Sequence, residues 1–200
     1  MTKRFIEEEK DVFRLKIPFE TVHTSVFLLK SVKGYILVDS GSCDDDIDKF
    51  VLPALKELDL SISDVNYIII THNHGDHAGG KRRLLELNTQ VEVIKNNGDL
   101  SDVEIYPMAG HTEDFIGVLH LPSGTLISGD GLQGDGLDKF RRSIANEKAY
   151  LSTIERIEKD NRIKNVLFSH CFEPCFKYGV KGRDEVNEWL KICKTKRDKK

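Results

Sequence analysis

The chain has 200 residues, 39% hydrophobic and 32% charged, with a formal net charge of -3 at pH 7. That length suits one domain or two small ones, able to bury roughly 70% of the unfolded surface. The charge gives no bulk attraction to nucleic acid or anionic membrane, and no apolar run approaches the ~18–20 residues of a membrane span.

In chain order, MTKRFIEEEKDVF opens with basic residues and then three glutamates, where an export signal needs an apolar core. The expectation is a cytoplasmic protein. Residues 12–17, 24–30 and 35–39 read as successive strands, with Lys33-Gly34 turning between the last two. Asp44, Asp45 and Asp46 then mark a helix N-terminus, where negative charge is favoured. Ile47, Phe50, Val51, Leu55 and Leu58 follow at helical spacing, and Pro53 inside that pattern predicts a kink or a late start. Residues 67–71 form a wholly buried type of strand. The Gly-rich loop Ala78-Gly79-Gly80, a helix over 81–87 and a strand over 91–94 complete this half.

The second half offers strands over 103–108, 115–121, 125–128 and 166–169. A helix is predicted over 145–160 with Leu151, Ile154 and Ile157 on one face, and a final one over 184–194 with Val186, Leu190 and Cys193 inward. Cys43, Cys171, Cys175 and Cys193 form no CxxC pair, as expected of reduced, inert thiols. The basic tail over 194–200 has nothing to bury. No repeat or linker divides the chain, so a single domain over 1–200 is expected.

Chemistry concentrates at strand ends. Residues 71–77 read THNHGDH, and the later strands run into Gly110-His111-Thr112, Gly129-Asp130-Gly131 and His170. Imidazoles and carboxylates are the natural ligands of zinc and non-haem iron. His72 and His74, two apart, project to one side of an extended segment. Asp76 and His77, beyond a bend at Gly75, can face a neighbouring position. Five of the seven histidines fall at such places, whereas His120 sits inside a strand and reads as structural.

THNHGDH, GHT, SGD and SH in this order resemble the metallo-β-lactamase superfamily, especially its glyoxalase II-like hydrolase branch. The resemblance runs from Val38-Asp39-Ser40-Gly41 to His170. It implies a four-layer αββα sandwich with the metals at the edge of the two sheets. It also implies that His72, His74 and His111 hold one metal, that Asp76, His77 and His170 hold a second, and that Asp130 bridges them. Asp39 resembles the aspartate that steadies the ligand loop, although a helix-capping turn residue fits the sequence equally well. His23, near the family's site mouth, is a candidate substrate contact or else a solvent-facing strand residue.

The activity implied is a dinuclear hydrolase of a small thioester, ester or lactone, with two divalent ions, zinc foremost and iron or manganese as alternatives. Asp76 and Asp130 would position water and bridge the metals. The alternative is a mononuclear iron persulfide dioxygenase, then a phosphodiesterase or nuclease. A small-molecule substrate is expected, without nucleic-acid or membrane partners. Glu113-Asp114-Phe115 replaces the Pro-Gly-Ser of many relatives, and the thirty residues after His170 leave no room for the glutathione-binding domain of glyoxalase II. Lys177, Lys181 and Arg183 are read as a solvated turn rather than an anion-orienting cluster.

Overall fold

The computed structural model describes residues 3–95, 100–132, 144–171 and 177–195, so Cys175 and most of the basic tail lie outside the described residues. The chain divides into two compact units, Met1–Glu104 and Ile105–Lys200. Among the described residues, no helix is long and apolar enough to cross a membrane.

The first unit is built on a six-stranded mixed sheet. Its strands are β1 (Ile6–Glu9), β2 (Val12–Phe19), β3 (Val22–Ser31), β4 (Gly34–Val38), β5 (Val65–Ile69) and β6 (Glu92–Ile94), in that spatial order. Neighbours from β1 to β4 are antiparallel, and β4, β5 and β6 run parallel. Parallel neighbours need a crossover. Between β4 and β5 it contains α1 (Asp44–Asp46), a π-helical turn Ile47–Val51 and α2 (Leu52–Lys56). α3 (Gly75–Ala78) and α4 (Lys81–Leu87) lie between β5 and β6. Leu15, Ile17, Val26, Leu28 and Leu37 alternate along their strands onto Ile47, Val51, Ala54 and Leu55 in one core cluster. Each such side chain, fully buried, contributes roughly 1.5–3 kcal/mol.

Pro53 has the local effect expected of it. The Leu52 N–H reaches back to Ile47 O, a five-residue step, and Pro53 then falls in the first turn of α2, where a missing N–H costs nothing. β1 was not foreseen, because Ile-Glu-Glu-Glu has little strand propensity. Part of its rationale is Arg14, only 1% exposed on β2: its Nε donates to Glu8 Oε1 at 2.8 Å, and its Nη1 to Ser25 Oγ at 3.1 Å. A buried guanidinium needs such partners.

The second unit carries a five-stranded sheet in the order β11-β10-β9-β8-β7. The strands are β7 (Val103–Pro107), β8 (Ile116–His120), β9 (Thr125–Gly129), β10 (Asn165–Phe168) and β11 (Gly179–Lys181). β9 and β10 are parallel, with α5 (Glu147–Lys159) in their crossover, whereas β8–β9 and β10–β11 are antiparallel. Asn146 caps α5 by accepting the Ala149 N–H at 3.0 Å. Ile154 and Ile157 of α5 meet Val186, Trp189, Leu190 and Cys193 of α6 (Arg183–Thr195) in a second core cluster. Two mixed sheets with helices give the α/β class expected. His120 ends β8, 1% exposed, with Nδ1 2.8 Å from Ser123 Oγ.

The basic residues after His170 correct the sequence reading. They include a strand, β11, and Arg183 does not sit on a solvated turn. Its guanidinium donates to Ile157 O at 3.2 Å, Asp160 O at 3.1 Å and Ile163 O at 3.0 Å, and also to Glu158 O. Carbonyls at the end of α5 and just beyond it thereby gain a side-chain donor. Beside them, hydrogen bonds from Arg162 hold the Asp160 carboxyl below its ordinary pKa. A lowered carboxylate pKa stabilises the fold at higher pH, and that stabilisation fades as acid takes the pH down through the folded value.

Candidate metal centre

In the first unit, β5, which buries Val65, Ile68 and Ile69, leads through Ile70 and Thr71 into His72-Asn73-His74, and α3 follows at once. The bend expected at Gly75 is therefore the start of a helix, and the glycine-rich loop is its C-terminal end. Gly79 there is dictated by close approach: a Cβ would fall 2.0 Å from Ser42 O. Ser40 fixes the other side of the turn, its N–H donating to His77 O at 2.7 Å and its hydroxyl at 2.9 Å.

This packing gathers three imidazoles. The ring centroids of His72 and His74 are 4.4 Å apart, and those of His72 and His77 are 4.2 Å apart. His72 and His77 are buried and His74 is exposed. Asp76 Oδ2 lies 3.4 Å from His77 Nε2, while its backbone carbonyl accepts the Thr24 hydroxyl at 3.0 Å. His23, next to Thr24, is exposed on β3.

Asp39 takes the role of loop support, and Cys43, not Asp39, is the residue at the N-cap of α1. Fully buried, Asp39 accepts the Thr71 N–H at 2.8 Å and the Thr71 hydroxyl at 3.0 Å, and its Oδ2 lies 2.7 Å from His77 Nδ1. Its φ of 64° lies in the left-handed region, which Asp tolerates better than most residues. Thr71 also reaches His72, with Oγ1 3.1 Å from Nδ1. The sequence reading passed over Thr71 as the last residue of a strand. A hydroxyl directly before a histidine at a strand end was the available signal.

In the second unit, α5 clamps the segment that carries His111. Thr153 Oγ1 donates to Ala109 O at 2.8 Å, and the N–H groups of Ala145 and Asn146 donate to Gly110 O at 2.8 and 3.0 Å. Gly110 has a φ of 143°, and a Cβ there would meet Tyr150 Cα at 2.8 Å. The His111 ring stands edge-on to Phe115 at 5.5 Å. Asp130 follows β9 and His170 follows β10, and the parallel pairing of these strands brings the two together: Ser169 N donates to Gly129 O at 3.3 Å. All three side chains are buried. Asp130 Oδ2 lies 3.7 Å from His111 Nε2, and its Oδ1 lies 3.2 Å from His170 Nε2.

The donor sets suit divalent cations. Imidazole Nε2 atoms face carboxylate oxygens in both units, and a second partner occupies Nδ1 of His72 and His77, the usual arrangement around metal-ligating histidines. Cys171, beside His170, is buried.

The sequence profile of the metallo-beta-lactamase superfamily matches residues 20–98. A metallo-beta-lactamase type 2 from Bacillus cereus is 32% identical over 173 residues, 74% of this chain and 63% of that protein. An atrochrysone carboxyl ACP thioesterase from Claviceps purpurea is 25% identical over 133 residues, 56% of this chain and 41% of that protein. The chain thus spans about half the length of these curated relatives. Among solved structures, the metallo-beta-lactamase FIM-1 from Pseudomonas aeruginosa in its mono-zinc form superposes with a TM-score of 0.73. That match has 15% identity and covers 96% of this chain and 95% of that one, a likeness of fold. With its strand-end histidines and aspartates, its two mixed sheets and these matches, the chain belongs to the metallo-β-lactamase superfamily.

Proposed function

We propose that the chain is a metal-dependent hydrolase of the glyoxalase II-like kind, holding two divalent cations, zinc foremost, and cleaving a small thioester, ester or lactone. In this reading His72, His74 and His111 hold one cation, Asp76, His77 and His170 hold the other, and Asp130 serves both. Asp130 carries the reading: its two oxygens address two different imidazoles, as a bridging carboxylate requires. The relatives named a β-lactamase and a thioesterase support carbonyl hydrolysis.

Divalent cations, when bound, supply Lewis acidity and bring the pKa of water towards neutrality. The chain's part is to hold and orient. Asp39 keeps His77 turned so that Nε2 faces Asp76. In the same reading Asp76, partly exposed on the first turn of α3, would accept a hydrogen bond from the attacking water and hold its lone pair towards substrate. His74 is exposed, so a cation held there would be open to solvent and substrate. Cysteines without a CxxC pairing would suit a reducing, cytoplasmic setting.

A panel of one thioester, one lactone and one phosphodiester tests this reading. Thioester or lactone cleavage should disappear on chelation and return with zinc. Cleavage of the phosphodiester alone, or oxygen uptake with a persulfide and no hydrolysis, would overturn it.

A further inference from the structure

The hydroxyl of Thr71 has contacts that fix more than packing. It lies 3.0 Å from both oxygens of Asp39 and 3.1 Å from His72 Nδ1. Asp39 also accepts the Thr71 N–H and faces His77 Nδ1. A hydroxyl has one proton to give and two lone pairs to receive with. Carboxylate oxygens offer only lone pairs, so the Thr71 proton is committed to Asp39. The contact with His72 must then run the other way, from His72 Nδ1–H to Thr71 Oγ1. The lone pair of His72 is thereby left on Nε2.

We infer that Thr71 is a positioning residue, a hydroxyl relay through which Asp39 fixes His72 in the tautomer whose Nε2 can ligate a metal. Asp39 fixes His77 in the same tautomer by direct contact. One buried carboxylate therefore presets two histidines, one of them through Thr71. Thr71 lies beyond the end of β5, on a bend, so strand packing does not account for a threonine there, whereas the hydroxyl contacts do. This inference rests on the proposed ligand role of His72.

The test uses the full chain with 15N-labelled histidine. In metal-free wild-type protein, His72, assigned by comparison with His72→Gln, should carry its proton on Nδ1. Thr71→Val should shift that population towards Nε2–H and weaken one of the two zinc-binding steps by roughly tenfold to a hundredfold. Thr71→Ser should restore both readouts. A merely structural threonine would lower stability without moving the tautomer. Wild-type His72 protonated on Nε2 would overturn the inference, and so would Thr71→Val with unchanged tautomer and zinc steps. Should Thr71→Val fail to fold, the wild-type tautomer decides. A wild-type chain that binds no zinc contradicts the proposed function, whereas the tautomer of the metal-free protein still judges the relay.

Discussion

Replacing Asp130 by alanine is expected to lower kcat/KM by at least roughly 10²–10³-fold and to leave the protein short of metal. Two properties of Asp130 combine in that effect. Its oxygens are divided between His111 at 3.7 Å and His170 at 3.2 Å, so under the proposed function a single side chain would serve both ligand groups. It also supplies negative charge in a buried place, only 8% exposed, where two cations would otherwise repel at short range. Asp130→Asn keeps the shape and one carbonyl oxygen, and should fall between wild type and alanine. Steady-state kinetics together with metal analysis of each variant check the order. Wild-type turnover in Asp130→Ala would remove the bridge from the account.

Asp39→Asn should act at a distance from substrate and still weaken metal binding. An amide in place of the carboxylate turns one acceptor into a donor, which then faces either the His77 Nδ1–H or the Thr71 N–H and hydroxyl. Leaving one such buried donor unsatisfied costs about 1–3 kcal/mol, read as a lower midpoint in urea. Metal affinity should fall by roughly 10–100-fold, the effect typical of losing the partner of a ligating histidine. Asparagine is the informative substitution because it tolerates the left-handed φ of 64°. Alanine would add backbone strain to the loss of hydrogen bonds. Unchanged metal affinity in Asp39→Asn would make that carboxylate a fold element only.

Much of this was legible in the sequence because its signals are local. Apolar runs end in histidine or aspartate at four places, and the helix of Val186, Leu190 and Cys193 buries the face its spacing announced. Pro53 declared its own perturbation. What stayed hidden depends on partners far along the chain. Asp39 meets Thr71 and His77 across 32 and 38 positions, and those distant contacts separate loop support from capping. Arg183 reads as one more basic residue until it finds carbonyls 20 to 26 positions earlier. β1 is one isoleucine and three glutamates in sequence, and Glu8 finds its partner in a buried arginine. β11, three residues long, is too short for any periodicity to register.

His72, His74, Asp76, His77, His111, Asp130 and His170 are proposed to hold a pair of cations. Elemental analysis of wild-type protein purified without added metal decides whether they do. About two transition-metal ions per chain are predicted, falling in Asp130→Ala. A single tightly held iron, or no metal even after zinc is supplied in excess, would contradict that proposal.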